Sequence, residues 1–532
     1  MNIIQSVMAL SFVALGRSVD LKIDPLMIVA TGEVWDVIAK PENPVWPGWN
    51  AADTPILIYL PDVQDVLINH PKPPSDFTPY EGPIQVKAGA IFIRDGKTLI
   101  DFDGQNTSRE VFGVETLVVA DTLSSRKQSV SYWLSDSRAV EDKIRELSYD
   151  QLRPNPYDHL ALVAHEAFHV FQFRKAPNKG GNELALAQYP ALSVKNNVGW
   201  AMEGEALAAA LRANTPKEVR SAALRWLAVR QDRRKSLPEV VIAYEDGTEF
   251  NEGLAKYVEY RLFQVLQNRT PNPRMFTAQG FRGYADLDVE RERLIEAMVS
   301  HLRGEVNVNN DPYGAAPARM RLYFSGMAIA AFLDRMGATG WHERILQPST
   351  TLVGLAEKVL AAGAEELPAA LKEAQSSPGH DELIRRKEQL EREGQGFASR
   401  ILEGIVDNPH GVVVVDYSAL GSPQVNLSFT PFGILSVDDS RTIYRMIPLA
   451  AGIGSTRITQ TESLPSLVDK KTKQLVFPLT GDARAVVASL AAIGNPEPRN
   501  WEAFEFRGVK FEGLWGTIRQ DGKRLIVELK PK

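Results

Sequence analysis

The sequence predicts a multidomain α+β chain: a mostly helical core, a β-rich region before it and an antiparallel β domain after it. Three observations carry this expectation. From about residue 20 to 150, short apolar runs are separated by Pro-, Gly- and Asp-containing turns, as in strands. Between 151 and 345 the apolar spacing lengthens to the helical period. After about 405 the short alternating runs return. At 532 residues the chain exceeds what one hydrophobic core serves and suggests roughly three to four domains. Its 44% hydrophobic and 24% charged content is that of a globular protein.

Residues 1–19 open the chain with an apolar stretch from Ile3 to Leu15, interrupted by Gln5, Ser6 and Ser11. Its length suits the apolar part of an export signal, although no Lys or Arg precedes it. The expectation is a periplasmic or secreted protein, with a buried helix in a cytoplasmic protein as the alternative. In the β-rich region, AIFIRDGKTLIDF (90–102) reads as a hairpin about Asp95-Gly96, and VETLVVADTL (114–123) and SVSYWL (129–134) as further strands. Gly96-Lys97-Thr98 is not a phosphate loop, because the motif's first glycine falls on Ile91.

The core begins with YDHLALVAHEAFHVFQFRK. Leu160, Val163, Ala167, Val170 and Phe171 form one apolar stripe, and Asp158 suits the first turn. Helices follow near 197–213, 217–235, 249–267 and 317–336. A basic run, Arg225, Arg230, Arg233, Arg234 and Lys235, reads as a solvated or ion-pairing face. Residues 346–404 read as a helical linker, with an exposed charged helix over 378–404. In the last region VVVVDY, LSFTPFGILSV, TIYRMI and KQLVFPL are strands, and GTIRQDGKRLIVEL is a hairpin about Asp521-Gly522. No later run reaches the about 18 apolar residues that a membrane span needs, so stable membrane insertion is not expected.

Composition narrows the chemistry. With no cysteine, disulfides and thiolate metal sites are excluded, so any metal must be held by histidine and carboxylate. A formal charge of −6 points away from nucleic acid as a partner. There is no GxSxG nucleophile elbow. What stands out is HEAFH at 165–169. On a helix, His165 and His169 lie one turn apart on one face and reach one ion. Zinc accepts imidazole nitrogen and leaves a position for water, whose pKa it lowers to about 7. Glu166, beside a ligand, is placed to take that water's proton.

A catalytic zinc site also needs a third protein ligand. Two segments offer one: GWAMEGEALAAALRA with Glu203, and TEFNEGLAKYVEYRL with Glu252. Each has Gly directly after the glutamate and Ala three after it, small residues that let a neighbouring helix come close.

HEAFH followed by NEGLAKYVE resembles the gluzincin metallopeptidases, and most of all the aminopeptidase N and leukotriene A4 hydrolase group. Asn251, Glu252, Gly253, Ala255, Tyr257 and Glu259 match that group's second motif, whose first glutamate is the third zinc ligand. Tyr323-Phe324-Ser325-Gly326 matches its YxxG, whose tyrosine stabilises the oxyanion. The resemblance covers roughly residues 155–345, and the chain as a whole is similar to bacterial members of the wider peptidase clan. It implies a zincin-like core binding one zinc ion through His165, His169 and Glu252, with Glu166 as base, Tyr323 as oxyanion donor, and a peptide or protein as substrate. Two departures remain. The gap from His169 to Glu252 is long and favours Glu203 as an alternative third ligand. The group's GxMEN motif is absent before residue 165, so aminopeptidase specificity is not implied. A zinc hydrolase of a non-peptide substrate, and a binding or scaffold protein that keeps the core without turnover, are the rival readings.

Overall fold

The computed structural model describes residues 20–96, 106–121, 155–308, 311–480 and 495–531. The N-terminal apolar stretch, the second arm of the Asp95-Gly96 hairpin and SVSYWL lie outside them. Among the described residues the chain is an α+β protein with a helical core and a C-terminal sheet domain. No described helix is long and apolar enough to cross a membrane.

The first described element is not among the strands expected of this β-rich region. It is a helix, α1 (Pro25–Ile38). Asp24 caps it, accepting from the Leu26 amide at 3.0 Å, and Pro25 takes the first helical position, where no amide hydrogen is needed. Met27, Ile28, Val29, Val34, Trp35, Val37 and Ile38 are all buried. A helix apolar all round shows no amphipathic period, so it reads like a buried strand.

Six strands then form a mixed sheet: β1 (Ile56–Leu60), β2 (Gln64–Ile68), β3 (Thr78–Pro79), β4 (Ile91–Asp95), β5 (Thr107–Val111) and β6 (Val114–Ala120). Their order is β3-β4-β2-β1-β6-β5, so β5 is an edge among the described residues. β1 and β6 run parallel and the other pairs antiparallel.

The helical core comprises α2 (Pro156–Lys175), α3 (Val194–Arg212), α4 (Pro216–Arg234), α5 (Glu239–Thr248), α6 (Leu254–Leu266), α7 (Leu287–Arg303) and α8 (Ala315–Arg335). Its starts are well signalled. Asn155 accepts from the Tyr157 amide at 3.0 Å ahead of α2, and Thr215 and Glu218 close a capping box at α4. α5 and α6 are one continuous helical rod, interrupted only by a π-helical turn at Glu249–Gly253. Three more helices, α9 (Leu352–Leu360), α10 (Glu366–Gln375) and α11 (His380–Val406), lead to the C-terminal sheet. α11 is largely exposed, but Ala398 and Ile405 pack on Val412, Val414 and Ile443 of that sheet.

Among the described residues the C-terminal sheet has eleven strands. The expected hairpin is present: Asp521 pairs with Arg524, and Gly522 turns it at φ 59°. The expectation of a wholly antiparallel domain is corrected at one place. Arg524–Leu529 runs parallel to Val412–Asp416, with Leu525 beside Val413 and Val527 beside Val415. All four side chains are buried. This register keeps the apolar positions of the first and last strands in one layer.

Candidate metal centre

The site is built on α2. Helical spacing puts His165 and His169 on one face, with ring centroids 4.8 Å apart. Opposite them, the π-helical turn brings in Glu252. Its Oε2 lies 3.5 Å from His165 Nε2 and 3.4 Å from His169 Nε2. One ligand atom from each of the three residues lies within 4.8 Å of the others, and all three residues are shielded from solvent.

The far side of each ring is fixed. His165 Nδ1 lies 2.7 Å from Glu259 Oε1. A carboxylate accepts only, so Nδ1 carries the hydrogen. Glu259 is itself tied to Lys256 Nζ at 2.7 Å through its other oxygen. His169 Nδ1 lies 2.9 Å from Gln172 Oε1. Gln172 Nε2 donates to the carbonyls of Phe250 and Asn251 at 2.7 and 3.1 Å, so its oxygen must face His169. Both imidazoles therefore turn Nε2 toward the carboxylate of Glu252, and deprotonated there each would offer a lone pair. Two imidazole nitrogens and a carboxylate oxygen facing one another could hold a metal ion. The surrounding carboxylates favour positive charge at this point. Burial opposes a charge on His165, yet Glu252 and Glu259 raise its pKa to about 10. Burial also opposes ionisation of Glu252, but both histidines and Arg319 hold its carboxyl well below the usual carboxylate range.

The π turn is shaped by its neighbours. Its widened backbone offers the carbonyls that Gln172 binds. On its other side Gly253 meets Gly326 of α8. A Cβ on Gly326 would stand 2.7 Å from both Glu249 O and Gly253 Cα, so only glycine permits this approach. Gly326→Ala is therefore expected to lower stability by about 1–3 kcal/mol in urea titration, the usual cost of overpacking against backbone.

Glu203, the alternative third ligand, is corrected. Its Oε2 accepts from Arg230 Nε at 2.7 Å and its Oε1 from Arg233 Nε at 2.6 Å, within a wholly buried ion network rather than beside the histidines. Arg230 also pairs with Glu249 at 2.7 Å, and Arg233 with Glu245 at 2.6 Å. The basic run of α4 is thus ion-pairing, as one reading had it, but Arg230 and Arg233 face inward with no solvent exposure. The glycine after Glu203 does serve close packing, against Leu302 of α7.

A cleft of about 630 Å³ opens over the histidines and Glu252, and Glu166 and Tyr323 also line it. Glu166 is half-buried. Its carboxylate makes no hydrogen bond or ion pair among the described residues. The Tyr323 ring stacks near His165 at 6.2 Å between centroids. Burial and the nearby Glu252 charge push the Tyr323 hydroxyl well above its ordinary pKa, which keeps it a neutral donor. Leu162, Leu294 and Phe324 give the cleft an apolar wall, and Asn106, Thr107 and Ser108 bring the edge strand β5 to its rim.

Sequence reasoning missed Gln172, Arg319 and the role of Glu259. Each had a helical signal: Gln172 three residues after His169, Glu259 seven after Glu252, and Arg319 four before Tyr323. No protein-family model, no curated protein and no solved structure significantly matches this chain.

Proposed function

We propose that this chain is a zinc-dependent, peptidase-like hydrolase. The observation that carries the reading is the convergence of His165 Nε2, His169 Nε2 and Glu252 Oε2 at the floor of a cleft, with both outer ring nitrogens tied back. These three residues would hold one zinc ion. When bound, such an ion supplies a Lewis acid that brings the pKa of a water toward about 7. Glu166 takes a proton from water entering the cleft and hands it to the leaving nitrogen. Tyr323 donates to the oxygen on which negative charge develops. Glu259 and Gln172 keep the imidazoles in one tautomer and one orientation. An extended peptide suits the cleft because β5 offers a strand edge at its rim for main-chain pairing.

The test is metal content together with turnover. The purified protein is expected to hold one zinc per chain by atomic emission, and to cleave a mixture of internally quenched peptides. A strong chelator should abolish cleavage and added zinc should restore it. Protein that purifies without stoichiometric zinc, and takes none up, would sink the reading.

A further inference from the structure

We propose that Arg319 is a positioning residue of this centre: it confines Glu252 to one ligating oxygen and makes the Tyr323 hydroxyl oxygen its acceptor, so that the hydroxyl hydrogen is turned away from the guanidinium. The inference rests on the metal-hydrolase reading above.

Arg319 sits on α8 one turn before Tyr323, with only 14% of its side chain exposed. All three of its nitrogens are engaged. Nη2 donates to Glu252 Oε1 at 2.9 Å and Nε to Glu183 Oε1 at 3.0 Å, while Nη1 donates to the Tyr323 oxygen. The first contact divides the labour of Glu252. Oε1 is held by a guanidinium, and Oε2 is the oxygen that faces both histidines. The third contact fixes a direction. A guanidinium has donors and no acceptor, so the tyrosine oxygen must accept, and its own hydrogen remains for another acceptor. In the resting site Glu252 is such an acceptor, and during hydrolysis an oxyanion in the cleft that Tyr323 lines would take its place. One cation thus sets both the ligand carboxylate and the oxyanion donor.

The C-terminal sheet domain supports this arrangement. The guanidinium carbon lies 5.1 Å from the Tyr323 ring and 5.9 Å from the ring of Phe432, which belongs to that domain. The first amide of α8, Ala315, donates to Ile434 O at 2.9 Å. Glu183, the third partner of Arg319, opens a short 3-10 helix (Glu183–Gln188) whose Ala187 carbonyl accepts from Ser436 at 3.2 Å. The sheet domain therefore backs Arg319, the start of α8 and the element that carries Glu183.

The experiment compares Arg319→Met, Arg319→Lys and Tyr323→Phe for zinc affinity, by competition with a chromogenic chelator, and for kcat and KM on quenched peptides after zinc saturation. Melting curves check that each variant is folded. Arg319→Met is expected to weaken zinc binding about 10–100-fold, as loss of an outer partner of a ligand does. It should also lower kcat about 10²-fold, the scale of a lost oxyanion donor. Tyr323→Phe should lose kcat while keeping zinc affinity, and adding Arg319→Met to it should cost kcat much less than Arg319→Met alone. A merely structural arginine would not produce that non-additivity. Wild-type protein without zinc overturns both this inference and the proposed function. Wild-type protein with zinc, beside a folded Arg319→Met of equal zinc affinity and kcat, overturns the inference alone. Should Arg319→Met fail to fold, Arg319→Lys decides: it keeps the charge but cannot span three partners, and unchanged zinc affinity and kcat in it overturn the proposal.

Discussion

On the proposed zinc-hydrolase reading, Glu166→Gln is expected to bind zinc as the wild type does and to lose about 10³-fold in kcat, within the range for removal of a general base. The substitution is nearly isosteric, so packing around α2 should not change. The side chain of Glu166 is half-buried, lines the cleft and makes no hydrogen bond or ion pair among the described residues. An amide cannot take a proton from water, and that is the single property removed. The atoms that would hold the ion belong to His165, His169 and Glu252, none of them altered. Atomic emission and cleavage of quenched peptides read the two halves separately. Wild-type turnover in a zinc-loaded Glu166→Gln protein would mean that another group moves the proton, and the role assigned to Glu166 would be wrong.

The largest effect on stability is expected at Arg233. Arg233→Met should cost about 3–5 kcal/mol in urea titration, the penalty for breaking a buried ion pair by removing one partner. Arg233 joins Glu203, Glu245 and Asn196 through Nε and Nη1 at 2.6, 2.6 and 3.0 Å, and its guanidinium packs 4.0 Å from the Trp200 ring centre. Removing it leaves Glu203 and Glu245, both without solvent exposure, short of positive charge. The contrast lies on the same helix. Arg225 reaches Glu373 at 3.4 Å across an exposed surface, where an ion pair contributes little. Arg225→Met should therefore melt close to wild type. Equal losses in the two variants would mean that burial does not set the energetics of this network.

Some of this was legible in the sequence. HEAFH announced itself because helical spacing alone brings two histidines to one face. The glycine after Glu252 pointed to a close helix contact, and Gly253 against Gly326 is that contact. The choice between Glu203 and Glu252 was harder. Both glutamates precede Gly and Ala, and spacing along the chain favoured Glu203, which lies in the arginine network. Spacing carries little information here because α3 and α4 pack on each other, between the histidine helix and Glu252 in sequence. The deciding signal was elsewhere: Arg230 and Arg233 sit beside Trp226 on the buried stripe of α4, and inward arginines require inward carboxylates. α1 was missed for the opposite reason, an excess of apolar residues that erased the period. Arg319 and Gln172 stand at helical spacing from Tyr323 and His169, but their other partners, Glu252 and the Phe250 and Asn251 carbonyls, lie on a distant element that local pattern does not reveal.

The π-helical turn at 249–253 bears on how this centre could arise or be lost. It amounts to one supernumerary residue in an otherwise regular rod from 239 to 266. Up to its first residue, Glu245 and Glu249 keep the phase that meets the arginines of α4. Downstream, Glu259 has the phase that meets His165. Each residue of an α-helix advances by about 100°. Deleting one residue from this turn would rotate one half of the rod against the other by that angle, so that the ion network and the histidine pair could not both be served. A one-residue length change, without any altered side chain, is enough to separate a chain that has this centre from one that keeps only its scaffold.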